Sequence, residues 1–206
     1  HRDRHSFPTR RSSDLPWACQ RLADRSCLDR TGRIPYGLWR PLAVAEQIPD
    51  ALQRKAEIRA AGLAARQRQP HRQSLSRTIV AGLCQTDEYR SARVVLYYVS
   101  VPSEVHTLRL LAEALADGKT VVVPYMEADR IELFRLESLD DLAPGHFNIL
   151  EPRRELRTSD RAVSPAQVEL VIVPGVGFDQ CGGRVGHGKG YYDEFLRRVR
   201  PETPRI

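Results

Sequence analysis

The chain has 206 residues, 41% of them hydrophobic, and a formal net charge of +6. That length suits one α/β domain with its own core, and the absence of any long apolar run offers no transmembrane helix, so no membrane partner is expected. The basic residues are scattered rather than gathered with aromatics into a stripe, which argues against a nucleic-acid partner and leaves an anionic small molecule to explain any local basic cluster.

Residues 1–50 carry nine arginines, no lysine, both tryptophans and no sustained hydrophobic period. A secretory signal needs an apolar core of about 7–15 residues, which is missing, and Asp3 and Asp14 argue against a transit peptide. Phe7–Leu15, FPTRRSSDL, resembles the translation of a common sequencing-adapter read. Residues 1–48 are therefore expected to be a leader foreign to the domain, disordered or artefactual, with the domain occupying residues 49–206. The four cysteines, Cys19, Cys27, Cys84 and Cys181, lack C-x-x-C spacing, so they read as reduced thiols in a cytoplasmic protein rather than as zinc ligands.

Asp50 is a fair N-cap for a helix over residues 51–69, a segment rich in strong helix formers. Lys55 and Arg59 stand four apart and share a face of that helix. On spacing alone they are two solvated cations. A second helix is predicted over Ser74–Cys84, with Leu75, Ile79, Val80 and Leu83 as core positions. Arg93–Ser100 reads as a buried strand, LRLLAEALA as a helix stopped by Gly118, and Lys119–Pro124 as a second strand. This β-α-β order makes the two strands parallel. Glu104 then falls beyond the C-terminal end of the first strand, where open α/β sheets bind ligands, although a carboxylate near a helix N-terminus has an ordinary electrostatic explanation too. Residues 131–152 read as a strand, a loop around Pro144-Gly145 and a return, and 153–166 as a surface connection.

The last part of the chain is the most specific. Leu170-Val171-Ile172-Val173 is a buried-strand run, followed by a loop with seven glycines that carries Asp179, Arg184, His187 and Lys189, and then by Tyr191-Tyr192-Asp193 and a plausible helix EFLRRV. A strand, a glycine-rich loop and a helix can present backbone N–H groups to a phosphate. Gly183–Lys189 fits G-x-x-x-x-G-K, but Gly190 stands where a P-loop needs Ser or Thr, so Asp193 would have to supply the metal ligand.

GFDQCGGRVGHGKGYYDEFL closely resembles the signature of the 5-formyltetrahydrofolate cyclo-ligase family, whose hallmark is Pro-Gly-x-x-Phe-Asp followed by Arg-x-Gly-x-Gly-x-Gly-Tyr-Tyr-Asp. Further collinear matches are Lys-x-x-x-Arg at Lys55 and Arg59, the segment Ser103–Thr107, and Phe-x-Ile-x-Glu-Pro ending at Pro152. The resemblance implies a single-domain α/β fold, an open, mostly parallel sheet with helices on both faces. It implies ATP-dependent conversion of 5-formyltetrahydrofolate to 5,10-methenyltetrahydrofolate by a cytoplasmic monomer using Mg2+.

Carried over residue by residue, the resemblance assigns ATP binding to Lys55, Arg59, Arg184, Val185, Gly186, His187, Gly188, Lys189, Gly190, Tyr191 and Tyr192. It assigns the folate to Val99, Glu104, His187, Gly188, Lys189, Gly190 and Tyr191, metal binding to Asp193, and catalysis to Lys189. Two departures stand out. His187 replaces the arginine usual in the loop, and the chain stops at Ile206, where family members continue with further strands and a second metal-binding aspartate. An inactive fragment of a cyclo-ligase, another phosphate- or nucleotide-binding α/β enzyme, and a basic nucleic-acid-binding module are the alternative readings.

Overall fold

The computed structural model describes residues 49–145, 149–179 and 181–206. The expected leader, and Phe147 of the Phe-x-Ile-x-Glu-Pro match, lie outside the described residues. Helix α1 covers Pro49–Arg68. It starts ahead of the expected cap because Pro49 takes the first turn, where its fixed φ suits the helix and its missing N–H costs nothing; Asp50 lies inside that turn. Helix α2, Arg72–Cys84, follows His71, which adopts a left-handed conformation at φ 56°. A short helix α3, Asp87–Ser91, went unread in the sequence; the Thr86 hydroxyl caps it by accepting the Tyr89 N–H at 3.2 Å.

Strand β1, Val94–Leu96, is shorter than expected. Tyr97 N–H still donates to Val122 O (2.9 Å), but then the chain leaves the ladder. The segment before the next helix takes over its polar groups: Thr107 Oγ1 donates to Tyr98 O (2.7 Å), Ser100 N–H to Thr107 Oγ1 (3.1 Å) and Tyr98 Oη to Val105 O (3.0 Å). Helix α4, Leu108–Ala116, stops before Gly118, whose φ of 77° breaks the helix as expected. Strands β2, Thr120–Glu127, and β3, Arg130–Leu136, form a hairpin. Ala128 and Asp129 close it with φ of 44° and 62°, the doubly positive pattern of a two-residue type I′ turn. A small hairpin, β4 Leu142–Pro144 and β5 Leu150–Pro152, comes next, then two 3-10 turns, then β6, Leu170–Val171.

The main sheet has the order β3-β2-β1-β6, with β1 parallel to both β2 and β6 and only β2–β3 antiparallel. Alternation along the strands sends Val95, Val121, Val123, Phe134 and Leu170 to one face, under α4 and parts of α2. Leu96, Val122, Leu133, Val171 and Val173 go to the other face, against Phe195, Leu196 and Val199. Helical segments thus cover both faces of an open, mostly parallel sheet, as the sequence implied. No helix among the described residues is long and apolar enough to cross a membrane.

Each flank of the sheet is occupied. Beside β3, Arg135 N–H donates to Arg161 O (2.8 Å) and Val163 N–H to Leu133 O (3.2 Å). Beside β6, Val171 N–H donates to Pro204 O (3.0 Å), Ile206 N–H to Val171 O (2.9 Å) and Val173 N–H to Ile206 O (2.7 Å).

Glu169 ties the sheet together ahead of β6. Its Oε2 accepts the N–H groups of Arg93 (2.6 Å) and Val94 (3.3 Å), which open β1. The Arg93 N–H, working against desolvation and helped by Val94, holds this carboxyl below its ordinary range. A group with a depressed folded pKa contributes stability above its unfolded pKa and loses it as pH falls through the folded value. Glu169→Gln is expected to cost no more than about 1 kcal/mol at neutral pH, because the group is only half-buried. The gap to wild type should close below about pH 4. Urea midpoints of both proteins at pH 7 and pH 3 measure it; a gap that persists at pH 3 would show that the charge is not what matters.

Candidate active site

The glycine-rich stretch does not form a P-loop. Between β6 and the final helix the chain folds into a hairpin, β7 Gly177–Phe178 against β8 Arg184–Val185, so Gly183 to Val185 belong to a turn and a strand rather than a phosphate cradle. Asp179 organises that turn: its Oδ1 accepts the N–H groups of Cys181 (2.8 Å) and Gly183 (2.7 Å), and its own N–H donates to Gly183 O (2.9 Å). The open loop is only residues 186–190. It ends at Gly190, whose φ of 76° reverses the chain into α5, Tyr191–Phe195. This helix begins and ends earlier than EFLRRV suggested.

Helix α1 lies directly on this hairpin. A Cβ at Gly62 would sit 2.8 Å from Val176 O and 2.9 Å from Val176 Cγ1, so the backbones meet with nothing between them. One turn earlier Arg59 Nε donates to Gly186 O at 2.9 Å, and the guanidinium lies beside Gly188, where a Cβ would come within 3.2 Å of Arg59 Cζ. Lys55, one further turn back on the same face, is half-buried. Arg59 is therefore brought to the glycine loop rather than left on a solvated face, while Lys55 shares its helix face.

The remaining predicted residues divide. Lys189, Gly188 and Gly190 are exposed on the loop. Val185 and Gly186 are partly buried beneath α1. Arg184 points inward, its side chain only 5% exposed, donating through Nη1 to Pro174 O (3.0 Å) and through Nη2 to Asp193 Oδ1. Tyr191 and Tyr192 pack against the sheet layer of Phe195, and the Tyr192 ring meets Phe195 edge-on at 6.2 Å. The Tyr192 hydroxyl is buried with no hydrogen-bond partner among the described residues, and that burial pushes its pKa up.

Glu104 stands opposite the loop. Its N–H closes a turn onto Val101 O (2.9 Å), its Oε2 accepts the Val101 N–H (3.1 Å), and its Oε1 lies 3.5 Å from Arg66 Nη1 and 3.6 Å from His187 Nε2. It is not at the start of α4, which Thr107 precedes, so the helix-dipole explanation does not apply. Behind Glu104 opens a cavity of about 470 Å3 between α1, α2 and the ends of β1 and β6. Its walls are mostly apolar, with Arg66, Arg72, Glu104 and Asp179 as the charged members. Leu75, Ile79, Val80 and Leu83 line it, so the face of α2 expected to be simple core is a cavity wall. Val99 is not on that wall; it is buried in the core, and its neighbour Tyr98 lines the cavity instead.

Arg66 and Tyr98 escaped the sequence reading. Lys55, Arg59, Gly62 and Arg66 recur at intervals of four, three and four, one continuous helix stripe, and following that stripe past Arg59 would have found Arg66.

A divalent cation finds few protein ligands here. Among the described residues no three His, Cys, Asp or Glu side chains come together. Asp193 is 65% exposed and shares one oxygen with Arg184. That donor set fits Mg2+ only in its usual nucleotide-bound manner, with one carboxylate and most ligands drawn from phosphate and water.

The sequence profile of the 5-formyltetrahydrofolate cyclo-ligase family matches residues 51–205. The chain belongs to the 5-formyltetrahydrofolate cyclo-ligase family. A Mus musculus 5-formyltetrahydrofolate cyclo-ligase is 30% identical over 128 residues, covering 57% of this chain and 63% of its own length. A probable cyclo-ligase of Schizosaccharomyces pombe is 33% identical over 130 residues, covering 62% and 63%. The chain thus spans less than two thirds of these relatives. Among solved structures, the Aquifex aeolicus 5,10-methenyltetrahydrofolate synthetase superposes with a TM-score of 0.62 at 32% identity, covering 73% of this chain and 80% of that one. The Mycoplasma pneumoniae synthetase, at 22% identity and a TM-score of 0.52, shares the fold.

Two glycine substitutions separate helix propensity from this seat. In a free helix, glycine to alanine stabilises by about 1 kcal/mol, and Gly82 in α2, with open space around it, should show that gain. At Gly62 the collision with Val176 reverses the sign, because overpacking costs roughly 1–3 kcal/mol. Thermal melts of Gly62→Ala and Gly82→Ala should therefore move in opposite directions; equal shifts would mean that α1 does not rest on the loop.

Proposed function

We propose that the chain converts 5-formyltetrahydrofolate to 5,10-methenyltetrahydrofolate at the expense of ATP, releasing ADP and phosphate. The observation that carries this reading is the meeting of two unlike surfaces at Glu104. On one side is an apolar cavity of a size typical for small-molecule sites. On the other is a glycine loop flanked by Arg59, His187 and Lys189, suited to a polyanion.

The formyl oxygen is a poor nucleophile because its lone pairs are delocalised into an amide. It attacks the terminal phosphorus of ATP, forming an O–P bond as the P–O bond to ADP breaks. The formyl carbon then carries a phosphate leaving group. N10 forms the new C–N bond, the C–O bond breaks with loss of phosphate, and the N10 proton passes to solvent. Little of this requires a protein acid or base. Most of the acceleration must come from alignment and from neutralising phosphate charge.

The residues divide that work. Lys55 and Arg59 reach the phosphates from α1, and the loop from Gly186 to Gly190 wraps them with backbone N–H groups, with Val185 at its base. Lys189, exposed and unencumbered by the sheet, steadies charge on the transferred phosphoryl group. Tyr191 and Tyr192 shape the floor. Glu104 orients the pterin from the cavity mouth, and the α2 wall and Tyr98 take the apolar surface. Asp193 would hold Mg2+, which would neutralise phosphate oxygens when bound. Arg184, turned inward onto Pro174 O, pairs with Asp193 and orients that carboxylate at the loop. A monomer in the cytoplasm completes this reading.

The test follows the absorbance of 5,10-methenyltetrahydrofolate after purified chain meets 5-formyltetrahydrofolate and Mg-ATP. Product should form only with ATP. Lys189→Ala should lower kcat/KM by about two to three orders of magnitude, the scale for losing a transition-state donor. Product without nucleotide would overturn the reaction, and wild-type turnover by Lys189→Ala would remove that lysine's role.

A further inference from the structure

The cavity wall holds one charged contact for which the phosphate chemistry has no use. Arg66 lies on α1 two turns beyond Arg59, with its side chain 17% exposed, and reaches Glu104 with a single Nη1 contact at 3.5 Å. Its Nε is buried and has no hydrogen-bond partner among the described residues. Glu104 is itself only 10% exposed at the mouth of an apolar cavity. A carboxylate in such a place calls for a nearby counter-charge.

The groups facing Glu104 come from four elements. Arg66 approaches from α1 and His187 from the glycine loop, at 3.6 Å. Tyr98, from the end of β1, and Tyr192, from α5, lie close enough for the Glu104 charge to raise both hydroxyl pKa values further, after burial, which is the larger cause. Two buried hydroxyls do not compensate a carboxylate at neutral pH. His187 is 52% exposed and carries a full charge only when protonated. Arg66 is the permanent counter-charge.

We propose that Arg66 is a positioning residue for the folate: it holds Glu104 fixed so that the carboxylate meets the hydrogen-bond-donating edge of the substrate ring. This rests on the cyclo-ligase reading. Arg66 acts through Glu104 rather than on the phosphates, which separates it from Arg59 on the same helix stripe. Its single contact and unpartnered Nε–H leave room for the pair to form a two-point contact.

The experiment is equilibrium binding of 5-formyltetrahydrofolate, followed by calorimetry or quenching of intrinsic fluorescence, without ATP. Wild type, Arg66→Gln, Arg66→Lys, Glu104→Gln and the double variant Arg66→Gln/Glu104→Gln are compared, with circular dichroism as the folding check. Arg66→Gln should weaken binding by ~tenfold or more, the order expected when one partner of a buried charge pair is removed. Arg66→Lys, which keeps the charge, should recover part of that loss. In the Glu104→Gln background the same Arg66 change should cost less than about threefold, since neighbours acting as one unit are non-additive.

An equal loss from Arg66→Gln in both backgrounds overturns the proposal. If Arg66→Gln fails to fold, the comparison of Glu104→Gln with the double variant still decides, because neither leaves Glu104 as an isolated buried carboxylate: near-equal affinities support the coupling, and a further ~tenfold loss refutes it. Wild-type protein that binds the folate with this coupling but makes no methenyl product removes the cyclo-ligase activity and leaves the Arg66 assignment standing. Wild-type protein that does not bind the folate overturns both.

Discussion

The candidate site depends on one close approach, the backbone of α1 lying against the chain as it leaves β6. At Gly62 there is no room for even a methyl group between the helix and Val176. Everything that α1 brings to the site is measured from that contact. Arg59 falls one turn to one side, within reach of Gly186 O, and Arg66 one turn to the other, within reach of Glu104. The glycine loop and the mouth of the apolar cavity are thereby held in register by a single rigid element. A loop residue can be placed by local turns, but two sites on opposite sides of a strand end need a strut between them, and a helix with glycine at its point of contact provides one.

Much of the architecture was legible because it rests on local chemistry. The alternating β-branched runs gave β2 and the start of β6, Gly118 stopped α4, and the β-α-β order set the parallel pairing of β1 and β2. Local signals misled where a distant group captured the backbone. The run Arg93–Ser100 reads as one strand, yet Thr107 withdraws Ser100 and the Tyr98 carbonyl from the ladder. The glycine stretch has the spelling of a phosphate-binding loop, but the Asp179 side chain folds half of it into a hairpin, and nothing in G-x-x-x-x-G-K announces that.

The site residues show the same division. Lys55, Arg59 and the loop from Arg184 to Tyr192 could be picked from the sequence by motif, and the fold brings Arg59 and the loop into contact. Arg66 could not, because its importance lies in a partner 38 positions away and in the apolar surroundings of that partner. Leu75, Ile79, Val80 and Leu83 were legible as apolar, but whether an apolar face closes on a core or lines a cavity is decided by what stands opposite it. Arg184 shows the converse. Its motif position suggests an arginine open to phosphate, whereas its side chain is turned inward onto Pro174 O and Asp193.

The main-chain contacts made by residues 161–163 along β3 have a consequence for how these molecules behave together. A terminal strand with unused N–H and C=O groups is a template on which another chain can add, the usual first step of β-mediated aggregation. Here Arg161 O takes the Arg135 N–H, Leu133 O takes the Val163 N–H, and charged Arg130, Glu132 and Arg135 stud the same strand. That flank is therefore a poor template for intermolecular pairing. A crowded solution should find little there to copy.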